Sequence, residues 1–255
     1  ELAAAAWMKR ASEFADDFIR NDGGTAELRL RVAARGLAAC VGLQGKADPA
    51  AWADQAIRVG KELADQAATP SQKQAIQREL GTALDDAVQV SQMRGDRDAV
   101  EKYGRQAIQA LESLKPSKDR PADVYLLGRL YFRMGAVRSG GDQDHRAAVA
   151  WFDKAIATLE PVLSTALSSE RARLGETLVT MGVSYWETGQ QEKALQISQQ
   201  GVDMMEKAVA DGSLPTSVLE VPYKNLATMH RQMGQDDKAQ RYAEKASFKT
   251  ETIRQ

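Results

Sequence analysis

The chain has 255 residues, of which 43% are hydrophobic, 27% are charged and 6% are aromatic. This composition is typical of a soluble globular chain, long enough for one large domain or a continuous repeat array. Its 34 Lys and Arg residues and 35 Asp and Glu residues give a formal net charge of −1. The overall charge therefore provides no case for a nucleic-acid partner.

The apolar stretches and the single cysteine exclude further classes of protein. No stretch reaches the ~18 consecutive apolar residues of a membrane span, so we expect no membrane insertion. The apolar opening at 2–7 is too short for a secretory signal. Because the chain begins at Glu1 and not at Met, we expect a fragment of a longer, cytoplasmic protein. Cys40 is the only cysteine, which excludes an intrachain disulfide and a thiolate zinc site.

Helical periodicity predicts one lone amphipathic helix and then a series of hairpins. The lone or capping helix covers 2–20 and ends at a turn-forming Asn-Asp-Gly-Gly run. Apolar stripes separated by Gly and Pro turns then predict five helical hairpins, at 25–67, 72–114, 122–160, 170–209 and 217–253. The third hairpin carries a polar, Gly-containing loop insertion at 135–146. No segment has the pattern of a strand, so the predicted fold class is all-α.

One small residue in the first helix of each hairpin places the five hairpins in register. A small side chain lets two helices approach closely, and in the fourth hairpin Gly182 is expected to meet Ala194. An ordinary helical bundle is the alternative, but recurrence at a nearly constant spacing favours a repeat array. The register positions, spaced by 45, 47, 54 and 45 residues, are Gly36, Gly81, Gly128, Gly182 and Ala227.

The residues around these positions resemble the tetratricopeptide (TPR) family. The family pattern is a bulky residue, an apolar-Gly pair, an aromatic, a turn Gly and, in the second helix, Ala, an aromatic, Ala and Pro. The family repeat has 34 residues, and the longer helices here account for the larger spacing. The resemblance is most specific over 122–250. The matching residues of the third hairpin are Val124, Leu127, Gly128, Tyr131, Gly135, Ala148, Phe152, Ala155 and Pro161, and those of the fourth are Leu178, Met181, Gly182, Tyr185, Gly189 and Ala194.

The resemblance implies a right-handed α-solenoid whose first helices line a concave groove. Arg and Lys beside aromatic side chains suit an acidic peptide or protein segment with an apolar anchor. The second hairpin has Asp85 and Asp86 at the equivalent places. The same residues are explained equally well as solvated helix faces. The groove positions of the C-terminal half are Tyr125, Arg129, Phe132, Arg133, Trp186, Lys224 and Arg231.

The expected function is a non-catalytic protein–protein interaction scaffold, with no cofactor and no metal ion. The two histidines, His145 and His230, have no neighbouring nucleophile or triad-like motif. His145 lies in a polar stretch that is either a metal site or, more simply, a solvated loop. His230 takes the place of the family's aromatic and is expected to pack between helices. The alternative function is a regulatory or sensor segment of a larger signalling enzyme, such as a bacterial kinase.

Overall fold

The regular structure in the described part of the chain is entirely helical. The computed structural model describes residues 2–21, 25–141, 143–164 and 168–247. The predicted all-α fold class is confirmed. The helices in these ranges are α1 (Leu2–Asn21), α2 (Glu27–Gly42), α3 (Ala50–Gln66), α4 (Pro70–Arg94), α5 (Arg97–Glu112), α6 (Pro121–Gly141), α7 (His145–Leu163), α8 (Ser168–Glu187), α9 (Gln191–Ala210), a 3-10 turn (Thr216–Leu219), α10 (Glu220–Gln232) and α11 (Asp236–Ser247).

The helices fall into two compact units, unit 1 (Glu1–Val137) and unit 2 (Arg138–Gln255). In unit 1, α1 packs on α2, α2 packs on α3 and α4, and α4 packs on α5. In unit 2, α7 packs on α8, α8 packs on α9, and α10 packs on α9 and α11. Helices joined by a short turn are therefore neighbours, as in a helical hairpin. The boundary between the units lies within α6, so the pairing of α6 with α7 stays a prediction.

The ends of α4 show how local sequence sets the helix boundaries. Thr69 precedes α4, its side chain accepts the backbone N–H of Gln72, and the Gln72 side chain accepts from the Thr69 backbone. This reciprocal pair satisfies two N–H groups that the first turn would otherwise leave unpaired. Gly95 ends α4 with a φ of 71°, a left-handed conformation that glycine adopts without a steric penalty. Asp96 then caps α5 through its side chain.

The close helix contacts predicted at the register glycines are confirmed in three hairpins. All three glycines are buried. A Cβ placed on Gly36 would lie 2.5 Å from the Trp52 ring, and one placed on Gly81 would lie 2.6 Å from the Leu111 side chain. On α8, a Cβ at Gly182 would collide with the Ser198 hydroxyl and would lie 3.2 Å from the carbonyl oxygen of Ala194. Any larger residue at these places must displace the side chain or the backbone that faces it.

A second close contact between α8 and α9 involves two glycines, Gly175 of α8 and Gly201 of α9. It lies about two turns of α8 before Gly182. A Cβ on Gly175 would lie 2.7 Å from the Gly201 carbonyl oxygen, and a Cβ on Gly201 would lie 2.7 Å from that of Gly175. The two backbones are therefore in direct contact here. Together with the contact at Gly182, this fixes the α8–α9 hairpin at two separate points.

The predicted loop insertion at 135–146 is wrong for most of its length. The helix α6 continues to Gly141, and α7 begins at His145. Met134 and Gly135 are buried, so the helix still has packing contacts where the loop was expected to start. Gly costs only about 1 kcal/mol relative to Ala in a helix, and the non-glycine residues between Gly135 and Gly140 carry the helix onward. What remains of the insertion is the short link before α7. Asp144 caps α7, because its side chain accepts the N–H of Ala147 at 2.9 Å.

Candidate binding faces of the two units

The seven predicted groove residues lie on three helices in two units. Four of the residues are on α6 in unit 1 and three are on α8 and α10 in unit 2. The four are Tyr125, Arg129, Phe132 and Arg133, and the three are Trp186, Lys224 and Arg231.

In unit 1, both predicted arginines form ion pairs with one buried carboxylate of α4. Arg129 donates from Nη2 to Asp85 Oδ2 at 2.5 Å, and Arg133 Nε lies 3.3 Å from Asp85 Oδ1. The Asp85 side chain is only 2% exposed. Asp85 stands four residues after Gly81, and the arginines stand one and five residues after Gly128. The predicted groove positions of α4 and α6 therefore face each other, but with opposite charges.

Arg133 is held on more than one side. Its guanidinium donates to the side-chain oxygens of Gln92, at 2.6 Å, and Gln89, at 3.0 Å. The Arg133 side chain is only 16% exposed. Burial lowers the pKa of its guanidinium, an effect that Asp85 opposes. An arginine retains its proton at physiological pH even so, and its charge is matched inside the unit instead of being displayed to solvent.

The neighbouring acid, Asp86, is the group of this cluster that titrates near neutrality. Burial, and then the charge of Asp85, raise the pKa of the Asp86 carboxyl to about 6, although Arg129 and Arg133 oppose the shift. The cluster therefore gains negative charge as the pH rises through 6. Once Asp86 is ionised, its carboxylate and that of Asp85 disfavour the approach of a further acid to this cluster.

A third ion pair joins α4 to α6. Arg78 binds Asp123 through two parallel bonds of 2.7 Å, from Nε to Oδ1 and from Nη2 to Oδ2. The Asp123 side chain is 7% exposed. The hydrogen bonds from Arg78 to Asp123 are the main reason why the pKa of Arg78 is raised. The cations of this face are thus committed to acids of the same unit. Sequence reasoning missed this pairing, although opposite charges at matching places of successive hairpins were the available signal.

In unit 2, α8 presents a partly exposed apolar surface around Trp186. The Trp186 indole N–H donates to Gln232 of α10 at 3.0 Å, while the ring remains half-buried. Val183, one turn earlier, is 37% exposed. Val179, one turn before Val183, is part of the core with Leu226. The exposed apolar surface of α8 is therefore limited to its C-terminal half.

The helix α10 adds cations to this face. Lys224 and Arg231 are exposed and lie two turns apart, so they share one side of the helix. Lys224 bonds to Glu220 at 2.6 Å, one turn back on the same helix. No ion pair of Arg231 occurs among the described residues. Val221, which sequence reasoning did not select, is 63% exposed one turn before Lys224.

The two histidines do not make a catalytic site. His145 Nδ1 lies 3.0 Å from the hydroxyl of Ser184, and Ser184 is 1% exposed. A nucleophile must be accessible to its substrate, and the Ser184 hydroxyl is not. His145 is half-buried, so the solvated loop expected for it is not observed. His230 packs between helices as predicted, 4% exposed and stacked on Tyr242.

No group of three or more His, Cys, Asp or Glu side chains in the described ranges is arranged to hold a metal ion. No described helix is both long enough and apolar enough to cross a bilayer.

Comparison with solved structures supports the helical repeat. No protein-family model matches the sequence, and no curated protein matches it significantly. The crystal structure of BtubC (BKLC) from P. vanneervenii superposes with a TM-score of 0.61 and 13% identity, over 98% of this chain and 90% of that one. The chain has a TPR-like helical repeat fold. At this identity the likeness concerns the fold alone.

Two further structures superpose with lower scores. A Podosopora anserina protein described as a kinesin light chain with nearly identical TPR-like repeats gives a TM-score of 0.46 at 17% identity, over 88% of this chain and 98% of that one. MamA gives 0.42 at 16% identity, over 80% of this chain and 92% of that one.

Proposed function

We propose that this chain is a non-catalytic protein-interaction scaffold, and that the α8–α10 face of unit 2 binds an acidic protein segment with an apolar anchor. The TPR-like fold supports a role in protein interaction. The observation that carries the specific proposal is the half-buried Trp186 and exposed Val183 beside the cations of α10. Trp and Arg are the side chains that most often dominate the energy of a protein interface.

The ion pairs already present decide which of the predicted cations can change partners. Lys224 is bound to an exposed acid on its own helix, and such a surface pair contributes only about 0.3–0.5 kcal/mol. Breaking a buried pair, such as the one between Arg133 and Asp85, costs about 3–5 kcal/mol. A partner carboxylate can therefore displace Glu220 from Lys224 far more easily than Asp85 from Arg133. Lys224 and Arg231 are the favoured contacts.

The α6 residues of unit 1 lie outside the proposed α8–α10 face. On unit 1 itself, Tyr125 and Phe132 are half-buried aromatics. Arg129 is 40% exposed, so its outer edge can still contact a partner while it stays bound to Asp85. Arg133 serves the unit's own stability.

The test is direct titration of a partner that has been captured with the chain and then purified. We expect Arg231→Glu to weaken binding and to reduce its dependence on salt, because exposed charges are screened within about 10 Å at 0.1 M ionic strength. Trp186→Ala should weaken binding with little change in salt dependence. The matched control is Lys207→Glu, at an exposed position of α9. A partner that binds the Arg231→Glu and Trp186→Ala variants as tightly as it binds the wild type does not occupy this face.

A further inference from the structure

A groove between α9 and α11 is separate from the face described above. It encloses about 760 Å³, and its walls are one side of each helix. On α9 the lining residues Glu192, Leu195 and Gln199 repeat at helical spacing, so they form a continuous face two turns long. Both walls are second helices of their hairpins, whereas the proposed partner face is built on the first helices α8 and α10.

The charges of α11 are segregated about this groove. Three basic residues of the helix, Lys238, Arg241 and Lys245, line it at helical spacing, while the acids of the same helix do not. Neither Lys238 nor Arg241 has an ion pair within the described part of the chain. Glu192 is the one acid in the lining. Lys245 is paired with Glu206 at 2.8 Å, so Lys238 and Arg241 provide the positive charge that the groove offers to a partner.

The floor of the groove is aromatic and held in place. Tyr242 stacks on His230 with ring centres 5.5 Å apart and planes 3° apart. The Tyr242 hydroxyl donates to Gln199 at 2.5 Å, and His230 Nδ1 lies 2.8 Å from Gln235 Oε1. Tyr242 and Leu195 also pack against the hydrophobic core of the unit. A floor fixed in this way offers an apolar contact without a large loss of side-chain entropy on binding.

The chemistry of the lining indicates one kind of occupant. We infer that the α9–α11 groove is a second docking site, which takes an acidic segment of a partner protein with one apolar side chain placed against Tyr242. Lys238 and Arg241 provide the charge complement. The lining also contains the exposed amide of Gln196, which can both donate to and accept from a peptide backbone. A nucleic acid is disfavoured because its affinity depends on many phosphate contacts, and this groove offers few cations.

The experiment is a selection from a random linear peptide library displayed on phage, against the whole chain. The double variant Lys238→Glu/Arg241→Glu serves for counter-selection. Both side chains are exposed, so the variant is expected to fold. We expect the selected peptides to be rich in Asp and Glu around one bulky apolar position.

The selected peptides are then measured one at a time by fluorescence anisotropy. In the double variant, their dissociation constants should rise by at least about tenfold. Replacing the apolar residue of the peptide with Ser should also weaken binding. The matched control is Lys207→Glu/Arg173→Glu, two exposed positions of the same unit outside the groove, which should bind as the wild type does. Trp186→Ala should also leave this binding unchanged.

Four results would overturn the inference. The first is a selection that yields no peptides specific for the wild type, or yields basic ones. The second is full competition by inorganic phosphate with no dependence on the apolar position, which would make the groove a site for free anions. The third is binding that responds to Trp186→Ala but not to the double variant, which would place the peptides on α8–α10. The fourth is self-association of the wild type that the double variant abolishes in sedimentation, which would make the occupant a second copy.

Discussion

The hydroxyl of Tyr185 on α8 donates a 2.7 Å hydrogen bond to the carboxylate of Asp153 on α7. Lys193 of α9 donates to the same carboxylate oxygen at 2.5 Å, and its ammonium lies 4.4 Å from the centre of the Tyr185 ring. A tyrosine, an acid and a lysine from three successive helices thus meet at one point. We call this arrangement a tyrosine clamp.

A second tyrosine clamp joins α9, α10 and α11. Tyr223 donates to Glu206 at 2.7 Å, and Lys245 donates to the same oxygen at 2.8 Å while lying 5.2 Å from the Tyr223 ring centre. In both clamps the acid is on the α-helix directly before that of the tyrosine, and the lysine is on the α-helix directly after it. The clamps therefore connect one hairpin to the next, where the close glycine contacts do not reach.

Asp153→Asn should make stability depend less on pH. Burial raises the pKa of the Asp153 carboxyl, but hydrogen bonds from Lys193 and Tyr185 outweigh burial and hold it below its usual 3.8. A lowered pKa stabilises the fold above about pH 4, and the stabilisation is lost as the pH falls through the folded-state value. Because the acid is half exposed, we expect a loss of only about 0.5–1 kcal/mol at pH 7. Urea unfolding at pH 7 and pH 3 measures the effect, with Asp237→Asn as the control. An equal loss at both pH values would contradict the prediction.

Gly182→Leu should destabilise unit 2 by about 1–3 kcal/mol, because the new side chain must enter the space of the Ser198 hydroxyl and the Ala194 backbone. The matched control is Gly140→Leu in α6, where a Cβ would meet nothing within 4 Å. Thermal unfolding followed by circular dichroism measures both variants. If the two midpoints change alike, the tight contact at Gly182 has no energetic role.

Asp86→Asn should stabilise the chain at pH 8 and not at pH 3.5. The pKa of Asp86 is raised to about 6 in the folded state, so the fold favours its protonated form. Stability then falls as the pH rises from the unfolded-state pKa through 6, and the amide variant avoids this loss. A gain of roughly 1–3 kcal/mol at pH 8 follows from a shift of this size. Denaturant unfolding at the two pH values provides the measurement, with the exposed Asp119→Asn as the control. A gain that persists at pH 3.5 would point to a cause other than ionisation.

Arg133→Glu should reduce stability strongly, by about 3 kcal/mol or more, because it places a third acid beside Asp85 and Asp86. Arg231→Glu, at an exposed position, should change the free energy of unfolding by less than about 0.5 kcal/mol. Comparing the two by urea denaturation at pH 7 separates a structural arginine from one available to a partner. Similar small losses for both would mean that the Asp85 ion pairs contribute little.

The sequence was sufficient for the repeat architecture because the signals that define it are local. Small residues at nearly constant spacing identified the close contacts at Gly36, Gly81 and Gly182. The extent of α6 was missed because Gly135 and Gly140 favour a turn locally, while the burial of Met134 depends on tertiary packing.

The candidate faces could be predicted only in part, because their character depends on contacts between hairpins. The repeat pattern placed Arg129 and Arg133 on a common face, but it contains no information on their pairing with Asp85, 44 and 48 positions away. The α9–α11 groove was missed for a similar reason. In the sequence, its lysines and arginine have the pattern of an ordinary solvated helix face. Only the structure shows that α9 and the stacked ring of His230 lie beside them.

The two glycine contacts between α8 and α9 also determine how unit 2 can deform. Backbone contact at Gly175 and Gly201, and again at Gly182, opposes sliding or rotation of α8 against α9. The two helices are therefore expected to move together as one rigid hairpin. A change in the shape of unit 2 is then expected at the contacts on either side of this hairpin, where the tyrosine clamps connect α7 to α8 and α9 to α10. Half-exposed ionic groups are weakened by salt, whereas backbone contacts are not. Within unit 2, salt is therefore expected to weaken the contacts between neighbouring hairpins before it affects the contact between α8 and α9.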